Sequence, residues 1–311
     1  MRVTSNSFPT RLLDQITRLT NRTSQYQTQV ATGQRITLPE DDPAAMRRVM
    51  DMQGEGRKLT QYADNIGRHQ ELAQASYSSM SATKKIVDRA GEIATLAGGI
   101  NSPEQLKILS GEVDQLLARA VQFANVKNRN DYLFAGTKSD TVPFVAVKDA
   151  QGRTTSVSYQ GNVDLAESEI AEQVTLSAQT VGSNSSGTGN RGLFVDSQAG
   201  ADLFGHLIAL RDNLQSGNVA QIQTVDRVNI QKDEENLLFH YGSNGAAQAR
   251  LETSLAVSKQ RLESLNMLVS KETDVDLATT IVKLTETQNA YKAALQSGST
   301  ILHQSLLDYI R

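Results

Sequence analysis

The chain opens and closes on one pattern. Leu12, Ile16, Leu19, Thr23, Tyr26 and Val30 recur at steps of three and four. Leu277, Ile281, Leu284, Gln288, Tyr291, Leu295, Gly298 and Leu302 do the same at the other end. That step keeps one face of a helix turned toward a partner helix, as in a coiled coil. The first helix is predicted from about Thr10 to Thr32, closed by Gly33, which suits a left-handed cap. At about 1.5 Å per residue the first helix would span roughly 35 Å and the last roughly 50 Å. Thr23, Gln288 and Gly298 weaken the two stripes, so either helix alone is marginal and gains order from neighbours. The expected behaviour is ends that are unstructured in the free monomer and helical on assembly. The plainer alternative is two ordinary bundle helices packed within one chain.

Between the ends the period changes twice. GQRITLPEDDP reads as an extended arm, because Leu38 and Asp42 both precede prolines, which disfavours helical geometry. Asp42 and Pro43 then look like an N-cap and a first helical position. A long helix follows to about Ala97, with Val49, Met52, Leu59, Ala63, Ile66, Ala73, Tyr77, Met80, Val87 and Ala94 in its stripe; Gly98 and Gly99 end it. Ser102, Pro103 and Gln105 predict a capping-box start for the next helix, whose stripe is Leu109, Val113, Leu116, Ala120 and Phe123. From about Asp131 to Val195, YLFAG, PFVAV and TTSVSY alternate with turn-like KSDT, KDAQGR and QGN, which predicts short strands. SNSSGTGNRG, residues 183–192, reads as an irregular loop. A helix bearing Leu203, Leu207, Leu210 and Leu214 comes next, then a long one over about 219–271. Thr273 and Asp276 mark the start of the last segment. The predicted fold class is mainly α: a long helical bundle or coiled coil formed by the N- and C-terminal segments, with an inserted small β-domain.

Composition sharpens this picture. The chain has 311 residues, enough for two or three domains. Aromatics are only 5%, with no Trp, which suits thin helical bundles better than one thick core. A net charge of -3 gives no pull toward nucleic acid. Cysteine is absent, which excludes disulfides, thiolate metal sites and a cysteine nucleophile. No run of 18 apolar residues exists, so no membrane span is expected. The first fifteen residues lack the apolar stretch of a cleavable signal, so export would take another route.

Candidate chemistry is thin. Gly187, Gly189 and Gly192 match a dinucleotide fingerprint in form, but a Ser-rich loop precedes them and a strand-like run follows, which favours a plain loop. His69, His206, His240 and His303 have no metal-like spacing, and each reads as a surface or packing residue. The pairs Asp41/Asp42 and Asp274/Asp276 stand at predicted helix starts, where capping explains them better than acid–base catalysis. The basic pairs Arg47/Arg48 and Lys84/Lys85 read as solvated faces. Residues 1–30 hold four arginines against Asp14, whereas residues 271–311 hold four basic against five acidic residues, a contrast that mildly favours pairing of the ends. Neither an enzyme nor a cofactor is indicated.

Particular residues carry a family resemblance. ATGQRI at 31–36, PEDDPA at 39–44 and ETDVDLA with the run to LLDYIR at the far end resemble the flagellin superfamily. The resemblance covers nearly all of residues 1–145 and 250–311. Within that family MRVTS, NDYLFAGTKSDTVPF and DYIR are closer to the junction between hook and filament than to filament subunits, and the Asn-Thr-Asn opening of flagellins is absent.

The resemblance implies an organisation. Residues 1–42 would be the N-terminal helix and spoke of an inner tube domain, and 43–130 the first half of a helical rod. An outer β-rich domain would occupy 131–195, the returning half of the rod 196–272, and the second tube helix 273–311. Leu12, Ile16, Leu19, Tyr26 and Val30 would pack with Leu277, Ile281, Leu284, Tyr291, Leu295, Leu302, Leu306 and Ile310 in the tube. Gly33, Arg35, Asp41, Asp42 and Pro43 would form the spoke and its turn. The implied role is structural and without turnover, in an extracellular bacterial flagellum reached through the export channel. The implied partners are the chain itself, the hook-side junction protein, flagellin, an export chaperone and the type III export apparatus. A short flagellin is the alternative within the family, and an intracellular coiled-coil scaffold the alternative outside it.

Overall fold

The computed structural model describes residues 7–99 and 102–309, with side chains over 10–99 and 102–300. The chain is mainly helical, and its strands are confined to one internal stretch. Helix α1 spans Ser7–Thr32, α2 Pro43–Ala97 and α3 Pro103–Ala124. Nine short strands follow, β1 at Lys127–Asn128 through β9 at Ala201–Asp202, a few residues beyond the expected range on either side. Helix α4 is Leu203–Ser216. A single helical turn, α5 (Val219–Gln221), leads through a π-helical stretch at Ile222–Asp226 into α6 (Arg227–Thr273), and α7 (Leu277–Tyr309) ends the described chain.

The described residues divide into two compact units. The central unit, residues 59–259, holds the strands and the hydrophobic core. Met80, Val87, Ile93 and Ala94 of α2 meet Val113, Leu117 and Ala120 of α3 and Leu207, Leu210 and Leu214 of α4 in one cluster. Phe134, Phe144, Phe194 and Phe204 close it: the Phe194 ring lies 5.2 Å from Phe134, 5.3 Å from Phe144 and 5.7 Å from Phe204. Such edge-on and offset contacts add to the area these rings bury. The strands form four small sheets. Three are two-stranded antiparallel pairs, whereas β7 (Val181–Asn184) runs parallel to β8 (Gly192–Asp196), which also pairs with β9. The parallel pair needs the 185–191 loop to turn the chain back, and Gly187 and Gly189 adopt positive φ within it.

A second cluster holds the β5–β6 hairpin (Ser168–Ala171 and Val174–Leu176) onto α2. Ile170 and Leu176 pack with Ile66, Ala73 and Leu251. His69 is part of this clasp: its Nδ1 accepts from the Ala178 amide at 3.4 Å, so Nε2 donates to Ser168 Oγ at 2.6 Å. Buried Arg211 donates to the Thr154 carbonyl at 2.6 Å and pairs with Asp114 and Asp212, which ties α4 to β4 (Thr154–Tyr159) and α3.

Two local expectations change. Ser102 precedes α3, but its hydroxyl donates to the Glu104 carboxylate at 3.1 Å instead of capping a backbone amide. The predicted helix over 219–271 contains the π-helical stretch, where Asp226 is buried and accepts from Asn213 at 2.7 Å.

Candidate assembly interface

The terminal unit comprises the described residues 7–58 and 260–309, and its main contact joins α1 to α7. The pair is antiparallel. Near one end the Val275 amide donates to the Gly33 carbonyl at 3.0 Å and the Arg35 amide to the Thr273 carbonyl at 2.6 Å, forming a β-bridge between Gln34 and Asp274. Near the other end Leu12 meets Gly298.

The arm expected to form the spoke is shaped residue by residue. Gly33 takes φ +71°, a left-handed conformation that ends α1 cheaply only without a Cβ. Asp41 folds the arm: its carboxylate accepts from the Leu38 amide at 2.9 Å and the Thr37 amide at 3.0 Å. These two amides, Leu38 first, hold its pKa below the ordinary carboxylate range. Asp42 caps α2 by accepting from the Ala45 amide at 3.0 Å, and Pro43 occupies the first helical position. The Ala45 amide, helped by Arg35 at 3.3 Å, lowers the Asp42 pKa. Arg35 also donates to the Glu272 carbonyl at 2.9 Å, so one guanidinium joins the arm to the end of α6. Asp276 caps α7 through the Thr279 hydroxyl and amide, which lower its pKa in that order.

Sequence reasoning missed three participants here. Arg48, read as part of a solvated pair, makes a two-pronged bond to Glu272 at 3.2 and 2.9 Å and holds that carboxylate's pKa down. Gln29 is buried and donates to the Arg35 carbonyl at 3.1 Å. Thr280 is buried at the start of α7. Polar residues at stripe spacing carry no hydrophobic signal, so only the contacts expose them.

The residues expected to pack in a tube sort into two sets. Leu12, Ile16, Leu19, Tyr26 and Val30 all lie half-buried on α1, and Leu284 and Tyr291 lie half-buried on α7. Leu277, Ile281 and Leu295 stay 47, 49 and 44% exposed, beside Val282 at 56% on α7 and Leu13 at 64% on α1. Leu302 and Leu306 fall in α7 where only the backbone is described, and Ile310 lies outside the described residues. The face of α7 buried in the chain is therefore small or polar (Thr280, Thr287, Gln288, Ala294, Gly298) around two larger side chains, Leu284 and Tyr291. Among the described residues, no aliphatic side chain of α1 or α7 is fully buried.

Leu277, Ile281 and Leu295 thus leave an exposed aliphatic row beside the side chains of α7 that the chain buries. Among the described residues, no cluster of three His, Asp or Glu is placed to hold a metal, and no helix is long and apolar enough to cross a membrane.

Residues 3–139 match the family model described as the bacterial flagellin N-terminal helical region. The chain is flagellin-like. It is 23% identical over 299 residues to the flagellar hook-associated protein 3 of Salmonella typhimurium, covering 91% of each chain. Two solved structures share its fold. The flagellar hook-associated protein-3 of Legionella pneumophila matches with TM-score 0.60 at 15% identity, over 72% of this chain and 98% of that one. FlgL of Bacillus cereus matches with TM-score 0.56 at 16% identity, over 71% of this chain and 99% of that one. The proteins that the chain resembles are thus named as flagellar and hook-associated.

Proposed function

We propose that this flagellin-like chain is a structural junction protein of the bacterial flagellum, acting as hook-associated protein 3 acts by name, at the meeting of hook and filament. It works by packing and has no turnover. The observation that carries this reading is the exposed row Leu277, Ile281 and Leu295 on a helix whose adjoining face is already taken by α1. In a ring of copies that row joins α7 to neighbouring protomers and forms an inner tube, while Gly33 to Pro43 serve as the spoke. By sequence spacing, Leu302, Leu306 and Ile310 extend the stripe beyond the described side chains. The hook-side junction protein (hook-associated protein 1) lies on one side and flagellin on the other. Export in unfolded form, with a chaperone on the C-terminal region and the type III export apparatus as conduit, fits a chain that has no disulfide to reduce.

A strain lacking the protein tests this. We expect hooks without filaments and flagellin monomers released into the medium. Hooks that still carry filaments would remove the junction role. The alternative, a short flagellin, predicts instead bare hooks with no released flagellin. Recovery of the chain only from cytoplasm would favour an intracellular scaffold.

A further inference from the structure

The two faces of α7 need something to keep them apart. Leu295 and Gly298 are one turn from each other, yet Gly298 is buried and Leu295 is half exposed. A Cβ added to Gly298 would lie 2.5 Å from Leu12 Cδ2, 3.5 Å from Cγ and 3.6 Å from Cδ1. Leu12 therefore sits in the notch left by the missing side chain. Glycine weakens a helix interior, so its presence here is accounted for by this close approach. If α7 turned to place Leu295 against α1, the aliphatic row would be consumed inside the chain.

We propose that Leu12 seated on Gly298 is the positioning contact that sets the rotation of α7, keeping Leu277, Ile281 and Leu295 outward for the next copy. Gly298 acts through Leu12 and touches no partner itself. The β-bridge at Gln34 and Asp274 holds the far end of the pair, so the notch is the second of two pins on one antiparallel pair. Where the outward row is used in assembly, the inference rests on the junction reading; the notch itself does not.

The cysteine-free chain allows a direct test. Paired substitutions Leu12→Cys with Gly298→Cys, Leu12→Cys with Leu295→Cys, and Leu13→Cys with Gly298→Cys are oxidised mildly in the full-length protein, free and hook-bound. The Cα and Cβ separations a disulfide tolerates are narrow. The 12–298 pair is expected to close at least tenfold faster than the other two; equal rates overturn the notch. On isolated hooks, Gly298→Leu should lower seating at least tenfold, and Leu12→Ala added to Gly298→Leu should recover most of it. Unimpaired seating by Gly298→Leu, or no recovery in the double variant, overturns the positioning role. Failure of the unsubstituted chain to seat on hooks, with fast 12–298 closure, overturns the junction reading and leaves the notch standing.

Discussion

The central and terminal units use opposite strategies with the same helices. In the central unit α2 buries Ile66, Ala73, Met80, Ile93 and Ala94 completely, and four phenylalanines share one cluster. In the terminal unit the fully buried apolar side chains among the described residues are Ile36, Ala45, Val49 and Leu265, none of them on α1 or α7. Its order relies on hydrogen bonds of the spoke and on half-buried contacts. Burial of apolar area is the main favourable term in folding, and most of that burial lies in the central unit while α1 and α7 contribute little of it. Under the junction reading, what looks like an unfinished core is completed by neighbouring copies.

The largest expected effect is on the central unit. Phe194→Ala empties the centre of the aromatic cluster and should destabilise that unit by about 3–5 kcal/mol, read as a lower urea midpoint. An unchanged midpoint would mean that these rings are not the core. The contrasting substitution is Leu295→Asp. Its side chain is half exposed in the free chain, so the urea midpoint should move by no more than about 0.5 kcal/mol. In the assembled tube the same carboxylate would be buried without a partner, at a cost of several kcal/mol, and attachment to hooks should be lost. Normal attachment would break the comparison, since the outward row would then have no work to do.

Much of this contrast is written in the sequence, and the exceptions share a cause. Gly33, Asp42, Pro43 and Asp276 announce their helix ends because their chemistry is local: a positive φ, a fixed φ, a carboxylate one turn from free amides. The inserted strands show in the shift from a helical period to short β-branched and aromatic runs. Periodicity gives a stripe, but it does not say which edge of the stripe a particular neighbour takes. Thus Leu284 and Tyr291 are half-buried, whereas Leu277, Ile281 and Leu295 stay more exposed. Gly298 breaks the stripe as a sequence pattern and proves to be the seat of Leu12. Arg48 and Glu272, far apart along the chain, become partners only through the return of α6, which local spacing does not encode.

A smaller effect separates the units by pH. His206 lies 2.8 Å from Asp233, which also accepts from the Asp202 amide at 2.9 Å. Burial opposes the imidazolium, but the bond to Asp233 and its charge, with help from Asp202, outweigh it and raise the His206 pKa; Lys232 opposes them weakly. Burial pushes Asp233 up to about 6 despite His206. Both folded values lie above the unfolded ones, so the folded state binds more protons and its stability falls as pH rises. For His206 the contribution is complete below its unfolded pKa and is lost as pH climbs through the raised folded one. Urea midpoints of the central unit should therefore decline as pH rises, first through the Asp233 range up to about 6 and then from the ordinary imidazole range upward, and His206→Asn should flatten the upper part of that decline. A slope unchanged by His206→Asn would assign it elsewhere.

The smallest effect concerns the clasp between Arg48 and Glu272, whose side chains are 55 and 29% exposed. An exposed pair is screened by salt and must hold two long side chains still, so its net worth is small even with two bonds. Arg48→Ala should leave the central unit's urea midpoint unchanged. In amide hydrogen exchange of the full chain, it should loosen only the spoke at 33–42 and the 272–275 segment, with a difference that fades as salt is added. Arg48→Lys should recover part of the effect, since one bond and the charge survive while the planar fork is lost. Loosening that reached the core of α2 and α3 would show the two units to be coupled through this pair, and the division between a self-sufficient centre and dependent ends would have to be redrawn.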